Sequence, residues 1–196
     1  MSLKVYKAVL EGENTVTIRV DSTFRGFEVD KFVRMLFNMS VRKEWDKTLK
    51  DIKLLEAKAD NTERLFEEVH IDPLITSRVF IKEMLHFNNK DDLNLVKRFD
   101  LQDKKNYFHA VIANSVNDPN VPLKHGDVRG NLIREYWLIE DDLYELNTIH
   151  VRNVSTVDYE GEIPKYALNQ MAVDWASTRF ESFLDGYHTI YFSKTA

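Results

Sequence analysis

The sequence predicts an α+β chain in which a long, curved antiparallel sheet wraps one long C-terminal helix. Three observations predict it. Strand-like alternation dominates from Leu49 to Val157, a single long helical repeat follows it, and only one helix-patterned segment lies upstream.

In order, Lys4–Leu10 and Thr15–Asp21 alternate with a period of two and are rich in Val, Ile and Tyr, and Glu11-Gly12-Glu13-Asn14 reads as the hairpin turn between them. Val29–Trp45 switches to helical spacing, with Phe32, Val33, Leu36 and Phe37 on one side and Asp30 as the expected N-cap. Strands are then expected at Ile52–Lys58, Arg64–Ile71, Arg78–Phe87, Leu93–Leu101, Tyr107–Val116, Val128–Ile139 and Tyr144–Val157. Asp60-Asn61, Asn88–Asp92, Asp103–Asn106 and Glu140–Asp142 supply the turns, and Asn117–Asp127, with two prolines and a glycine, is the longest irregular stretch. Pro164 opens a helix to about Tyr187, in which Leu168, Met171, Ala172, Trp175, Thr178, Arg179, Phe183 and Tyr187 recur every three or four residues. That helix is the one element large enough to cover the concave face of such a sheet, and a pocket between the two is the natural result.

Bulk properties narrow the function classes. With 196 residues and no repeat, low-complexity tract or Gly/Ser/Pro-rich linker, the chain is expected to be one domain over residues 1–196. The net charge of −5 and the lack of a Lys/Arg block argue against a nucleic-acid partner. The absence of cysteine excludes disulfides, thiolate metal sites and cysteine nucleophiles, and fits a cytoplasmic setting. No apolar run approaches the ~20 residues that cross a bilayer, so a soluble chain is expected.

Catalytic signatures are missing: there is no Gly-x-Ser-x-Gly, phosphate loop or Gly-x-Gly-x-x-Gly. The histidines at 70, 86, 109, 125, 150 and 188 show no metal-ligand spacing, and those at 70, 86, 109 and 150 read as ordinary hydrogen-bonded strand residues. Glu67-Glu68 and Asp141-Asp142 are adjacent, so their side chains point to opposite faces of a strand rather than flanking a substrate. No metal and no cofactor is expected.

Val41-Arg42-Lys43-Glu44-Trp45-Asp46 resembles the Arg-x-x-Trp-Asp signature of START domains, the StAR-related lipid-transfer family. Val128-Arg129, after its proline-containing loop, is similar to the family's Val-Arg strand start. Asp158-Tyr159-Glu160-Gly161-Glu162-Ile163-Pro164-Lys165, followed by Asn169-Gln170, resembles the Asp-x-x-Gly-x-x-Pro lead into the family's last helix. The order of strands and helices agrees along nearly the whole chain. Two departures stand: Arg78-Val79 replaces the usual Arg-Asp, and the family's N-terminal helix is absent, which leaves an upstream extension open.

The resemblance implies a helix-grip fold with an internal tunnel for one lipid and no catalysis. Burying an acyl chain gains about 0.8 kcal/mol per methylene, on the order of 10 kcal/mol for a long chain, so a tunnel as apolar as a bilayer makes extraction roughly neutral. It also assigns faces: Leu65, Glu67, Val69 and Ile71 inward on one strand, Arg78, Phe80, Lys82 and Met84 on the next, and Arg129, Asn131, Ile133, Glu135 and Trp137 on a third. The apolar pattern alone prefers Val79, Ile81, Leu85 and Phe87 inward, and a slip of one residue inverts each set. Arg42 matches the arginine that holds the lipid phosphate in the phosphatidylcholine-transfer branch, or else it is a surface arginine near a helix end. Phe80 alone is aromatic among the matches to that branch's choline cage, Glu67, Phe80 and Ile133. In the sterol-carrying branch an acid and an arginine are buried together; Glu67 matches the acid, Met84 stands in place of the arginine, and Lys82 or Arg129 is left to pair with the acid. Met171 and Trp175 are expected in the core, touching ligand if the helix is the lid.

The gate is expected at Asn117–Asp127 with the C-terminal helix, Val121 and Leu123 making transient contact with a membrane surface. A phospholipid and a sterol-like ligand both stay open, as does the oligomeric state. The alternatives are a helix-grip enzyme, a cyclase or hydrolase acting on an apolar substrate, and a lipid-sensing module of a larger protein.

Overall fold

A computed structural model describes the chain apart from residues 1, 10–14, 71–75, 162, 164 and 193–196, and apart from the side chains of residues 9, 165–167 and 169–178. The Glu11–Asn14 turn, Ile71 and Pro164 therefore lie outside the described residues. The elements are β1 (Ser2–Val9), β2 (Thr15–Arg25), α1 (Val29–Phe37), α2 (Met39–Trp45), β3 (Leu49–Ala57), β4 (Thr62–Val69), β5 (Arg78–Asn88), α3 (Leu93–Arg98), β6 (Phe108–Ser115), β7 (Val128–Arg129), β8 (Asn131–Asp141), β9 (Thr148–Asp158) and α4 (Lys165–Tyr191). The strands form one antiparallel sheet in the order β1-β2-β9-β8-β6-β5-β4-β3, and β7 adds to β5 in parallel.

The main core lies between the concave face and α1, α2 and α4, centred on Phe24, Phe27, Phe32, Phe183 and Tyr187. Their rings meet at centroid distances of 5.0 Å for Phe24–Phe32, 4.5 Å for Phe32–Phe183 and 4.2 Å for Phe27–Tyr187. Trp45 is buried against Phe183 and donates its indole N–H to the Met35 carbonyl at 2.8 Å. Among the described residues no helix is long and apolar enough to cross a membrane.

Several local expectations are overturned. The single helix over Val29–Trp45 is two, because the Asn38 carboxamide accepts the Val41 N–H at 3.1 Å and starts a new helix there. Asp30 is not the N-cap: Glu28 holds that position, and the Asp30 carboxylate turns to Tyr107 and His109. Leu93–Leu101 is not a strand. Leu95, Val96 and Phe99 have helical spacing, and α3 lays them over Phe87, Phe108 and Leu138 on the convex face.

Val128–Ile139 divides at Gly130, where a Cβ would stand 2.5 Å from the Phe80 ring. The chain passes there from β5 to β6 as partner. The segment before Thr148 is a turn rather than the start of β9.

Candidate functional site

Both faces of β5 are covered, and this explains why its alternation was ambiguous. Phe80, Lys82 and Met84 are buried on the concave side, as the family pattern implies. Val79 and Ile81 are buried on the convex side with Phe66, under Val116 and Val121. Leu65, Glu67 and Val69 of β4 share the concave face.

On β8 a register shift between Leu132 and Arg134 reverses the parity. Leu132, Glu135 and Trp137 point inward, whereas Ile133 is 47% exposed and Asn131 is exposed too. Asn131 and Ile133 therefore leave the candidate site. A bulge inserts one residue, so every side chain before it changes face.

Arg78 and Arg129 also act elsewhere. Arg78 donates to three backbone carbonyls, those of Tyr159 at 2.6 Å, Thr76 at 2.6 Å and Glu160 at 3.1 Å, and so staples the lead into α4 onto β5. Arg129 donates to the Val121 carbonyl at 2.6 Å. The loop carrying Val121 and Leu123 lies over the convex face: Val121 packs there and Lys124 pairs with the outward-facing Glu68 at 3.0 Å. Of the two expected gate residues, Val121 thus faces away from the concave cavity, and Leu123 is exposed. Met171 and Trp175 fall within α4, but their side chains lie outside the described residues.

What remains is a buried ionic network on the concave wall. Arg42 bridges Glu67 at 2.6 Å and Asp46 at 3.1 Å. Lys82 meets the other Glu67 oxygen at 2.8 Å and Glu135 at 3.6 Å. Arg179 approaches Asp46 at 3.5 Å, and the Trp137 indole donates to Glu135 at 2.9 Å. Arg42 is thus not a surface arginine; 6% of it is exposed. Of Lys82 and Arg129 it is Lys82 that pairs with Glu67, alongside Arg42.

Among the described residues Arg42, Lys82 and Arg179 face Glu67, Asp46 and Glu135, three charges of each sign. Burial pushes the Glu67 carboxyl upward, but Arg42 and Lys82 outweigh it and hold the group down at about 2. Asp46, similarly opposed by burial, is kept below the usual carboxylate range by Arg179, Arg42 and Thr48. Both acids are ionised at neutral pH.

The network borders a cavity that Val69, Phe80, Leu132, Ser155, Val157 and Tyr159 complete. Burial raises the Tyr159 hydroxyl to about 12 against the pull of Arg179 and Arg78, so it stays protonated and can donate a hydrogen bond. The cavity leaves about 50 Å³ for solvent, room for a few waters at ~10–15 Å³ each. A second void of about 20 Å³, lined by Ile18, Leu36, Trp45 and Phe183, also borders Arg179.

Sequence reasoning missed Asp46 as an ionic partner; it also caps the following turn by accepting the Thr48 N–H and hydroxyl. It also missed Arg179, although a charge on the buried stripe of a helix was a usable signal. The strand histidines prove to be connected: His86 Nε2 lies 2.8 Å from His109 Nδ1, and His109 Nε2 lies 3.1 Å from Asp30. Among the described residues no group of His, Asp and Glu is placed to hold a metal ion.

A curved sheet gripping a long C-terminal helix, with a cavity between them, is the helix-grip fold of START domains. Solved structures agree. Human STARD10 superposes with a TM-score of 0.77 at 15% identity, over 96% of this chain and 70% of that one. Human StAR-related lipid transfer protein 5 gives 0.78 at 13% identity over 96% and 83%. A STAR-related lipid transfer protein fragment from Xanthomonas axonopodis gives 0.70 at 18% identity over 95% and 93%. At these identities the likeness is one of fold. No protein-family model matches the sequence, and no curated protein matches it.

Proposed function

We propose that this chain is a carrier that holds one amphipathic lipid between the sheet and α4, its polar end against Arg42, Glu67, Lys82 and Glu135, and alters no bond in it. The observation that carries this reading is the paired ionic network on the wall of a largely apolar cavity. Buried charges are costly and are tolerated only when paired; here they offer both donors and acceptors to a guest inside an apolar enclosure.

The existing pairing of Arg42 and Lys82 favours a neutral head bearing hydroxyl or amide groups. A phosphate would add an uncompensated negative charge, and Arg42 would have to release Glu67 or Asp46 to receive it. The fold supports the carrier reading, since two of the similar structures are described as lipid-transfer proteins. A hydrolase or cyclase would need a poised base, whereas Glu67, held at about 2, is a weak one at neutral pH.

Native mass spectrometry of the purified protein, followed by extraction and identification of the guest, tests the proposal. One neutral lipid per chain is expected. Stoichiometry near zero after offering delipidated protein a broad lipid panel would sink it, and a phospholipid as the sole guest would overturn the neutral-head reading.

A further inference from the structure

The antiparallel register places the start of β4, the end of β5, the start of β6 and the β8–β9 turn at one end of the sheet, since Thr62 pairs with Leu85, Asn88 with His109 and Phe108 with Glu140. At this end Tyr144 is 96% exposed, Leu146 91% and Leu143 54%, and Leu93 at the start of α3 is 61% exposed. A solvent-facing turn ordinarily shows polar side chains outward. Here Leu143, Tyr144 and Leu146 stand outward beside the exposed Glu145 and Asn147, and only Asp141 and Asp142 are half-buried.

The turn is also firmly held. One Asp142 oxygen accepts the N–H groups of Tyr144 at 2.7 Å and Glu145 at 2.9 Å, and the other meets His150 Nε2 at 2.7 Å. Arg25 donates to Glu145 at 2.9 Å. Asn147, at a positive φ of 53°, turns its carbonyl to the N–H groups of Gly26 at 2.7 Å and Phe27 at 2.9 Å. Holding exposed Tyr and Leu side chains in one geometry has no use in water.

We infer that the β8–β9 turn is a membrane-docking wedge, Leu143, Tyr144 and Leu146 entering the interface of a bilayer, with Leu93 at the same end of the sheet. Size favours a bilayer over a protein partner. Four such side chains offer roughly 500–700 Å², short of the ~800 Å² per partner of a stable protein interface. A convex tip needs no complementary pocket in a bilayer, where a tyrosine suits the interface and leucines the layer beneath. Charge selects the kind of bilayer. At the tip Glu145 meets Arg25 and Asp142 meets His150, and Lys90 shares the adjoining hollow with Glu28, Asp30 and Asp141; with no excess of basic groups among these residues, the wedge enters a zwitterionic surface by apolar contact rather than an anionic one by attraction. The purpose of such docking rests on the carrier reading; the contact itself is tested separately.

Flotation of the full chain with phosphatidylcholine vesicles reads it directly. The wild type is expected to float. The Tyr144→Ser/Leu146→Ser double variant, altered only at side chains more than nine-tenths exposed, should keep its Tm and circular dichroism. Its binding should fall about 10-fold or more, the loss of roughly one buried apolar side chain. Salt near 1 M, where the Debye length is ~3 Å, should leave wild-type binding within about 2-fold. Equal flotation of variant and wild type, a wild type that does not float, or a wild-type dimer that the double variant splits would overturn the inference. Guest occupancy by native mass spectrometry is read in parallel and should be the same in both proteins. An empty cavity with intact flotation refutes the carrier, not the wedge.

Discussion

Arg42→Met should be strongly destabilising, and the structure sets the scale. Arg42 is 6% exposed and shared by Glu67 and Asp46. Methionine fills similar volume but leaves Glu67 to Lys82 alone. Removing one partner of a buried pair costs about 3–5 kcal/mol. Arg42 and Lys82 together lower the Glu67 carboxyl from 4.5 to about 2, which corresponds to roughly 3 kcal/mol at ~1.4 kcal/mol per tenfold change, and Arg42 supplies a share of it. Because the folded value is depressed, that stability is fully present above pH 4.5 and lost as pH falls toward 2. In Arg42→Met the Glu67 value rises, so the loss begins at higher pH. Urea unfolding of wild type and variant from about pH 7 down to about pH 3 reads both effects. Adding Glu67→Gln to Arg42→Met should recover much of the loss, because the stranded charge disappears. A cost under about 1 kcal/mol for Arg42→Met, typical of an exposed pair, or no recovery in the double variant, would refute the claim that the network is dry and coupled.

Three further outcomes are expected. Arg78→Met removes three hydrogen bonds, two of which staple the lead into α4, so it should lower Tm by about 5–10 °C, about 3 kcal/mol for a chain of this size, and speed amide exchange around Tyr159 and Gly161. Gly130→Ala drives a methyl into the Phe80 ring and should cost about 1–3 kcal/mol in thermal or urea unfolding. Burial and His109 lower the His86 imidazole to about 4, so its contribution is present above pH 6.5 and lost as pH falls toward 4; His86→Gln, which keeps a donor toward His109, should flatten the stability–pH curve across that window.

Much was legible in the residues themselves. The strand and helix periods record one-sided burial, so the sheet, the helix after β2 and the long final helix could be read before any contact was known. The Arg42-x-x-Trp45-Asp46 and Asp158–Lys165 segments pointed to the fold that the structure has. Placing Glu67, Phe80 and Lys82 on the concave face came from the family pattern, not from apolar alternation. That alternation failed on β5 because α3 and the Asn117–Asp127 loop cover its convex side, so both faces are apolar and period two carries no direction.

Other features were decided by tertiary structure alone. The bulge that expels Ile133 and admits Leu132 depends on where β9 pairs, a contact between residues far apart in sequence. Arg42, Glu67, Lys82 and Glu135 come from α2, β4, β5 and β8, and α4 adds Arg179, so no local pattern could pair them. Local sequence sets which side of an element avoids water. Which buried charge neutralises which, and whether a loop lies inside or outside the curve of a sheet, is set by how distant elements pack, because ion pairs act through space rather than along the chain.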